Sequence, residues 1–107
     1  MKFALLLTLA ALPLHAQVIS SNQVQTICRA IYKAEGANRA QWLYGVRSVH
    51  YRDAAEAKQI CINSINDDYS KWIKSGRKVG FYEFMSLIYC PLDSSNWCRN
   101  VTWFCGH

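Results

Sequence analysis

The sequence lacks a long hydrophobic run: the apolar run at its N-terminus is too short to span a bilayer comfortably, and no run of about 18 apolar residues follows it. It also has no internal repeat, low-complexity tract or interdomain linker. Its 107 residues are too few for a dinucleotide-binding fold, a protein kinase, a β/α barrel or a two-domain enzyme. The chain is 51% hydrophobic and 13% aromatic, a composition that excludes a disordered tail. These absences leave one small globular domain.

Acidic residues are scarce, with 7 Asp+Glu against 12 Lys+Arg and a formal net charge of +5. A basic chain suits a polyanionic partner. The sequence contains no compact Lys/Arg run and no RNA-binding motif, which argues against a nucleic acid. An anionic polymer outside the cell is therefore the expected partner.

The N-terminus has the pattern of a secretory signal peptide. Lys2 precedes an apolar run over residues 3–12, and Pro13 and the small residue Ala16 follow it. We expect residues 1–16 to be removed and residues 17–107 to form a domain that is periplasmic or secreted. No cysteine follows the run directly, so a lipid anchor is not expected, and no integral membrane segment is left after cleavage.

All five cysteines lie after the apolar run, and export places them where disulfides persist. We expect two bridges and one odd thiol, because a core of this size is marginal without covalent help. The pairing stays open, except that Cys98 and Cys105 would lie about 10 Å apart along a helix and could not pair there. Zinc at Cys98, Cys105 and His107 would lack a C-x-x-C pair, so we predict no metal and no cofactor. The cysteines are Cys28, Cys61, Cys90, Cys98 and Cys105.

The spacing of apolar residues predicts a mostly α (α+β) fold with two long helices first. The first runs from Ser21 to Glu35, and Gly36 suits the left-handed position that ends a helix. A loop and a short, irregular β element are expected over residues 37–52. The second helix begins at a capping box headed by Asp53 and runs to about Ser75.

Two shorter helices follow a basic turn over residues 75–80. The third begins at Phe81 and ends before Pro91, because the residue that precedes a proline disfavours helix. Asp93 or Ser94 then caps a short last helix that carries Trp97.

Glu35 is the residue that the pattern singles out for chemistry. It lies four residues after Ile31, seven after Cys28 and eleven after Val24, so its carboxyl continues the buried stripe of the first helix. Burial disfavours a charged carboxylate, and the negative end of the helix dipole acts the same way. A proton held near neutral pH is the profile of a general acid. The alternative is a helix-terminal Glu that reaches solvent or pairs with Arg39.

The other acidic residues are less suggestive of catalysis. The capping box accounts for Asp53 and Glu56. Asp67 and Asp68 are expected on or near the solvent side of the second helix. No second carboxylate is an obvious partner for Glu35, although Asp53 remains possible.

Aromatic side chains gather in the loops and at the helix ends, where a sugar ring could stack on them. His50 has no serine or cysteine nucleophile pattern beside it, so a surface or packed imidazole is expected there. The aromatic residues concerned are Trp42, Tyr44, Tyr51, Tyr89 and Trp97.

The block IYKAEGANRAQWLYGVRSV, in which Glu35 closes a helix and Tyr44, Gly45 and Val46 follow nine residues later, resembles the lysozyme-like superfamily, particularly small bacterial and phage muramidases and lytic transglycosylases. The later blocks ICINSINDDYSKWIKSG, FYEFMSLIYCP and NWCRNVTWF are similar to the following helices of small members of that group. The resemblance covers residues 27–104.

The resemblance implies a small helical domain with a β element beside a cleft, and cleavage of the β-1,4 bond between N-acetylmuramic acid and N-acetylglucosamine. Glu35 matches the catalytic glutamate. Residues 44–46 match the glycine-containing segment that lines the cleft, and Tyr89 matches a tyrosine that approaches the glutamate, without its usual Tyr-Asn-Ala-Gly context. Ser48 stands where many lytic transglycosylases carry a glutamine, and Gly36 where they carry a serine. Trp97 and Ser48 complete the expected substrate-binding set.

With a single well-placed acid, the expected reaction is that of a lytic transglycosylase. Glu35 protonates the glycosidic oxygen and then, as a carboxylate, deprotonates the muramoyl 6-hydroxyl, which closes a 1,6-anhydro ring. If Asp53 reached the cleft, water would be the nucleophile and the product a reducing sugar. The expected partner is the glycan strand of peptidoglycan, bound by a monomer. The rival hypothesis is a non-catalytic, secreted cationic protein that binds cell wall or another protein.

Overall fold

The structure, a computed structural model, describes residues 18–47 and 49–107. The expected signal peptide at residues 1–16 and the expected substrate residue Ser48 lie outside the described residues. The described part is mostly helical, as predicted, and none of its helices is both long and apolar enough to cross a membrane. Its helices are α1 (Ser21–Ala34), α2 (Ala54–Lys74), α3 (Phe81–Tyr89) and α4 (Ser94–Cys105).

The start and end of α1 follow from local chemistry. Ser20 Oγ accepts a hydrogen bond from the backbone N–H of Gln23 at 3.1 Å, and Gln23 Oε1 accepts one in return from the Ser20 N–H, which completes a capping box. At the other end, Glu35 is the C-cap, and Gly36 follows with φ 110°. The predicted end of this helix is confirmed to within one residue, and Glu35 is fixed at its last turn.

The segment between α1 and α2 contains no strand in its described residues 35–47 and 49–53, so the predicted β element is wrong. Two short 3-10 turns, Ala37–Arg39 and Leu43–Gly45, take its place. The reason lies in Tyr44 and Gly45, whose φ angles of 56° and 66° are left-handed and incompatible with an extended strand. The Tyr51 hydroxyl accepts a hydrogen bond from the Leu43 N–H at 3.1 Å and holds the turn in place.

The predicted cap of α2 is confirmed. Asp53 Oδ1 accepts a hydrogen bond from the Glu56 N–H at 2.9 Å. Glu56 accepts one from the Arg52 N–H at 2.7 Å and pairs with the Arg52 guanidinium at 3.0 Å. The helix ends at Lys74, close to the predicted position, and Gly76 follows with φ 92°.

The core forms where α1 packs between α2 and α4, with α3 packed against both of these helices. Pro91 ends α3 as expected, and a 3-10 turn over Pro91–Asp93 leads directly into α4. The fully or almost fully buried side chains that hold the helices together are Val24, Ile27, Cys28, Ile31, Cys61, Ile65, Met85, Trp97 and Val101.

The expected disulfides are absent, since all five cysteines are free thiols in the described structure. Cys28 and Cys61 are wholly buried and face each other across the α1–α2 contact, where they fill space as small apolar side chains. The hydrogen bond with Cys28, together with burial, raises the pKa of the Cys61 thiol, so Cys61 stays protonated. Packing between the helices therefore provides the stabilisation that we expected from disulfides.

Candidate functional site

Glu35 meets α4 through one directed hydrogen bond. Trp97 Nε1 donates to Glu35 Oε2 at 3.1 Å, and the Trp97 side chain is buried. Glu35 itself is half-buried, so its carboxyl is held by the protein and still reaches the surface. No ion pair joins it to Arg39 in the described structure, so of the two alternatives the pair with Arg39 is wrong.

Gly45 lies against the other side of the same carboxyl. A Cβ built on Gly45 would lie 2.9 Å from Glu35 Oε2 and 3.0 Å from Glu35 Cδ. Its φ of 66° is also one that side-chain-bearing residues rarely adopt. A larger residue at position 45 would displace the flexible end of the Glu35 side chain, so glycine lets the backbone approach this carboxyl closely; the contacts of Gly45 and Trp97 with the Glu35 carboxyl form the clamp.

Tyr89 extends the site beyond Trp97. The two rings stack with centroids 5.0 Å apart and an interplanar angle of 16°. The Tyr89 hydroxyl lies 3.9 Å from Cys61 Sγ on α2, and burial raises the pKa of Tyr89. The structure thus brings four of the predicted site residues together: Glu35, Gly45, Tyr89 and Trp97.

Tyr44 points away from this group. Its ring lies 4.9 Å from that of Tyr32 on α1, and both rings line a small hollow together with Arg29 and Lys58. Burial raises the pKa of the Tyr44 hydroxyl. Tyr44 therefore shapes the turn that presents Gly45, while its own side chain faces a different surface.

A cleft of about 300 Å³ is lined by Gly45 and Tyr89 of this group, whereas Glu35 and Trp97 are not among its lining residues. Its walls come from the loop before α2, from the middle of α2 and from the end of α3. Val46, one of the predicted substrate residues, is buried in the loop wall. The lining residues are Gly45, Val46, Arg47, Ile60, Ser64, Asp68, Ile88 and Tyr89.

Asp68 is the site residue that the sequence analysis missed. Its placement on or near the solvent side of α2 is wrong, because the residue is only 4% exposed. Its spacing of eleven from Ala57, seven from Cys61 and three from Ile65 continues the buried stripe of α2, just as Glu35 continues that of α1. The spacing argument that identified Glu35 would therefore also have identified Asp68.

Asp53 takes no part in the cleft. Its carboxylate caps α2, and its side chain is exposed. Trp42 is also exposed, at 43%, and Tyr51 is committed to the Leu43 N–H. Among the described residues, no three His, Cys, Asp or Glu side chains converge to form a candidate metal site.

Comparison of the chain with protein-family models, with curated proteins and with solved structures found no match. A functional interpretation therefore depends on the geometry of the clamp and the cleft.

Proposed function

We propose that this protein cleaves the β-1,4 bond between N-acetylmuramic acid and N-acetylglucosamine in peptidoglycan, with Glu35 as the acid and base. The observation that carries the proposal is the clamp, in which a half-buried carboxyl is fixed between Trp97 Nε1 and the backbone of Gly45 beside a cleft. A carboxyl that must transfer a proton to a bound substrate needs this kind of fixed position.

The clamp also distinguishes the two oxygens of Glu35. Oε2 accepts the indole hydrogen bond, and indole nitrogen is only a donor, so this oxygen is engaged. Oε1 accepts no hydrogen bond from the described residues. We assign Oε1 as the oxygen that exchanges the proton with the glycan.

The reaction that fits one acid is the lytic transglycosylase reaction. Glu35 donates its proton to the glycosidic oxygen, the bond from C1 to that oxygen breaks, and the leaving sugar departs as an alcohol. The Glu35 carboxylate then takes the proton of the muramoyl 6-hydroxyl while that oxygen bonds to C1, which closes the 1,6-anhydro ring and restores the acid. Asp53, the second carboxylate that a hydrolytic route would use, is occupied as a helix cap.

The wider setting of this proposal is a lysozyme-like domain that is exported after removal of residues 1–16 and acts as a monomer on glycan strands in the periplasm or outside the cell. Without residues 1–16, which include Lys2, 11 Lys+Arg stand against 7 Asp+Glu, and this formal net charge of +4 suits a wall that carries anionic groups.

The test is to incubate purified protein with peptidoglycan sacculi and to identify the soluble products by mass spectrometry. We expect anhydromuropeptides from the wild type and from Glu83→Gln, which alters an exposed glutamate on α3. We expect none from Glu35→Gln. Reducing-end products would replace the transglycosylase reaction by hydrolysis, and binding to sacculi without soluble product would favour the non-catalytic wall-binding protein.

A further inference from the structure

Asp68 is a buried carboxyl with one oxygen unused by the protein. The residue is 4% exposed, and Oδ2 has no hydrogen-bond partner among the described residues. The nearest lysine on its helix, Lys71, pairs with Asp67 instead, at 3.0 Å. A buried acceptor without a partner destabilises a fold by about 1–3 kcal/mol, and more when it is charged. Such a group is retained more readily if a ligand completes it.

Asp68 is part of the cleft wall, while its unpartnered Oδ2 is itself buried. Asp68 lines the cleft together with Ser64 and Ile60 from the same helix, and Arg47 and Ile88 stand in the other walls. The apolar side chains suit the C–H face of a sugar ring, and the polar ones suit its hydroxyl and amide groups. Because Arg47 lines the cleft and Lys71 acts electrostatically on Asp68, a neutral donor is favoured over a cationic ligand.

Asp68 and Glu35 lie at different positions along the site. The Tyr89 hydroxyl meets α2 at Cys61 and at Ser64, and Asp68 comes four residues after Ser64, which is about 6 Å along the helix axis. Glu35 is reached from Tyr89 in another direction, through the stacked ring of Trp97. Asp68 lines the cleft and Glu35 does not, so the two carboxyls face different parts of the site, which suits contacts with two neighbouring sugar rings.

We propose that Asp68 forms a second substrate subsite, in which its carboxyl accepts a hydrogen bond from a hydroxyl or amide N–H of a sugar ring next to the bond that Glu35 cleaves. The inference rests on the proposed function and adds a binding residue to it. Asp68 transfers no proton in this role. It positions the strand through the part of its carboxyl that lines the cleft, because the unpartnered Oδ2 is itself buried.

The test compares Asp68→Leu, which has no acceptor, with Asp68→Asn, which keeps a carbonyl oxygen, and uses Asp67→Asn as the exposed neighbouring control. A lost hydrogen bond to a charged group corresponds to about 1.5–3 kcal/mol, so we expect Asp68→Leu to raise KM for soluble glycan strands at least about tenfold with kcat nearly unchanged. Asp68→Asn should raise KM less, and Asp67→Asn should leave it unchanged.

Stability separates this role from a structural one. Removal of a buried, unpartnered carboxyl should raise the thermal midpoint of Asp68→Leu while KM worsens, which is the pattern expected when a residue is kept for function at the expense of stability. A lower midpoint together with a lower kcat would show that Asp68 supports the fold, and would overturn the subsite.

A binding measurement separates failure of the subsite from failure of the proposed function. In the Glu35→Gln background, affinity for soluble glycan strands is measured with and without Asp68→Leu. A loss of about tenfold supports the subsite even if the wild type shows no cleavage. Unchanged affinity overturns the subsite, whether or not Glu35 proves to be catalytic.

Discussion

The site contains two carboxyls, those of Glu35 and Asp68, which occupy similar positions on their helices but differ in their hydrogen-bond partners. Glu35 and Asp68 each continue the buried stripe of a helix, α1 and α2 respectively. Glu35 has an indole donor at 3.1 Å, whereas Asp68 Oδ2 has no partner in the described structure. The difference indicates that the position of an acidic residue on the buried stripe of a helix does not by itself define its role. The hydrogen-bond partners of its carboxyl define that role.

Loss of the acid at the partnered end should have the largest effect. General acid–base catalysis contributes about 10²- to 10⁴-fold, so Glu35→Gln should lower the rate of sacculus cleavage by at least about 100-fold. The amide keeps the shape of the side chain and an acceptor for Trp97 Nε1, so thermal stability should change little. Full activity of this variant would remove Glu35 from the mechanism.

A side chain at Gly45 should disturb the same end almost as strongly. In Gly45→Ala the new methyl would lie 2.9 Å from Glu35 Oε2, so the carboxyl must move. A displacement of about 1 Å can lower the rate by about 100-fold. Gly106→Ala is the control, because its Cβ would have only ordinary contact, 3.8 Å from the Trp103 carbonyl oxygen. Equal rates for the two variants would show that the clamp is unimportant.

The free energy of unfolding should depend on pH because of the unpartnered Asp68 carboxyl. Burial raises the pKa of Asp68 from 3.8 to about 6. The folded state therefore binds a proton that the unfolded state has lost between about pH 4 and pH 6, so the contribution of Asp68 to stability falls as the pH rises through this window.

The measurement is urea unfolding of wild type and Asp68→Asn at pH 4 and pH 7. Asparagine does not titrate, so the wild type should lose on the order of 2 kcal/mol relative to this variant between the two pH values. Asp67→Asn should follow the wild type, since Asp67 is exposed and its pair with Lys71 contributes little. A pH-independent difference would show that Asp68 is not titrating in this range.

Removal of the indole donor should have a smaller effect than these changes. Trp97→Phe keeps an aromatic ring for Tyr89 to stack on, but it loses the Nε1–H and also part of the ring volume of a buried indole. We expect about a tenfold lower kcat, because a hydrogen bond to a charged group corresponds to about 1.5–3 kcal/mol and solvent at the half-buried carboxyl can replace part of it. Trp103→Phe, at an exposed position on α4, is the control.

Local patterns were enough to predict the helices and the placement of Glu35. The Asp53 cap and the glycine at position 36 are local signals that act as expected, whereas Glu56 completes no capping box because its carboxylate accepts from the Arg52 N–H. Asp68 was equally predictable from spacing, but its neighbour Asp67 made the pair look solvated. The information was present and was assigned to the wrong face.

Other features depended on packing between distant segments. Trp97 reaches Glu35 only because α4 packs on α1, and no local pattern encodes that contact. The prediction of a β element was wrong because Tyr44 and Gly45 belong to a loosely alternating run in the sequence. In the structure both residues have left-handed backbone conformations, which a strand cannot contain. The prediction of disulfides was wrong for a related reason, since the tertiary fold determines which cysteines are buried in the helix contacts.

The hydrogen bond between Glu35 and Trp97 joins residues that are 62 positions apart, so it also has a kinetic consequence. Contacts of such long sequence separation form only after a large loop has closed. A chain in which α4 has not yet docked contains the acid without the group that orients it. Activity should therefore appear only once α4 has docked on α1, and detachment of α4 should abolish activity together with the core contacts of Trp97 and Val101.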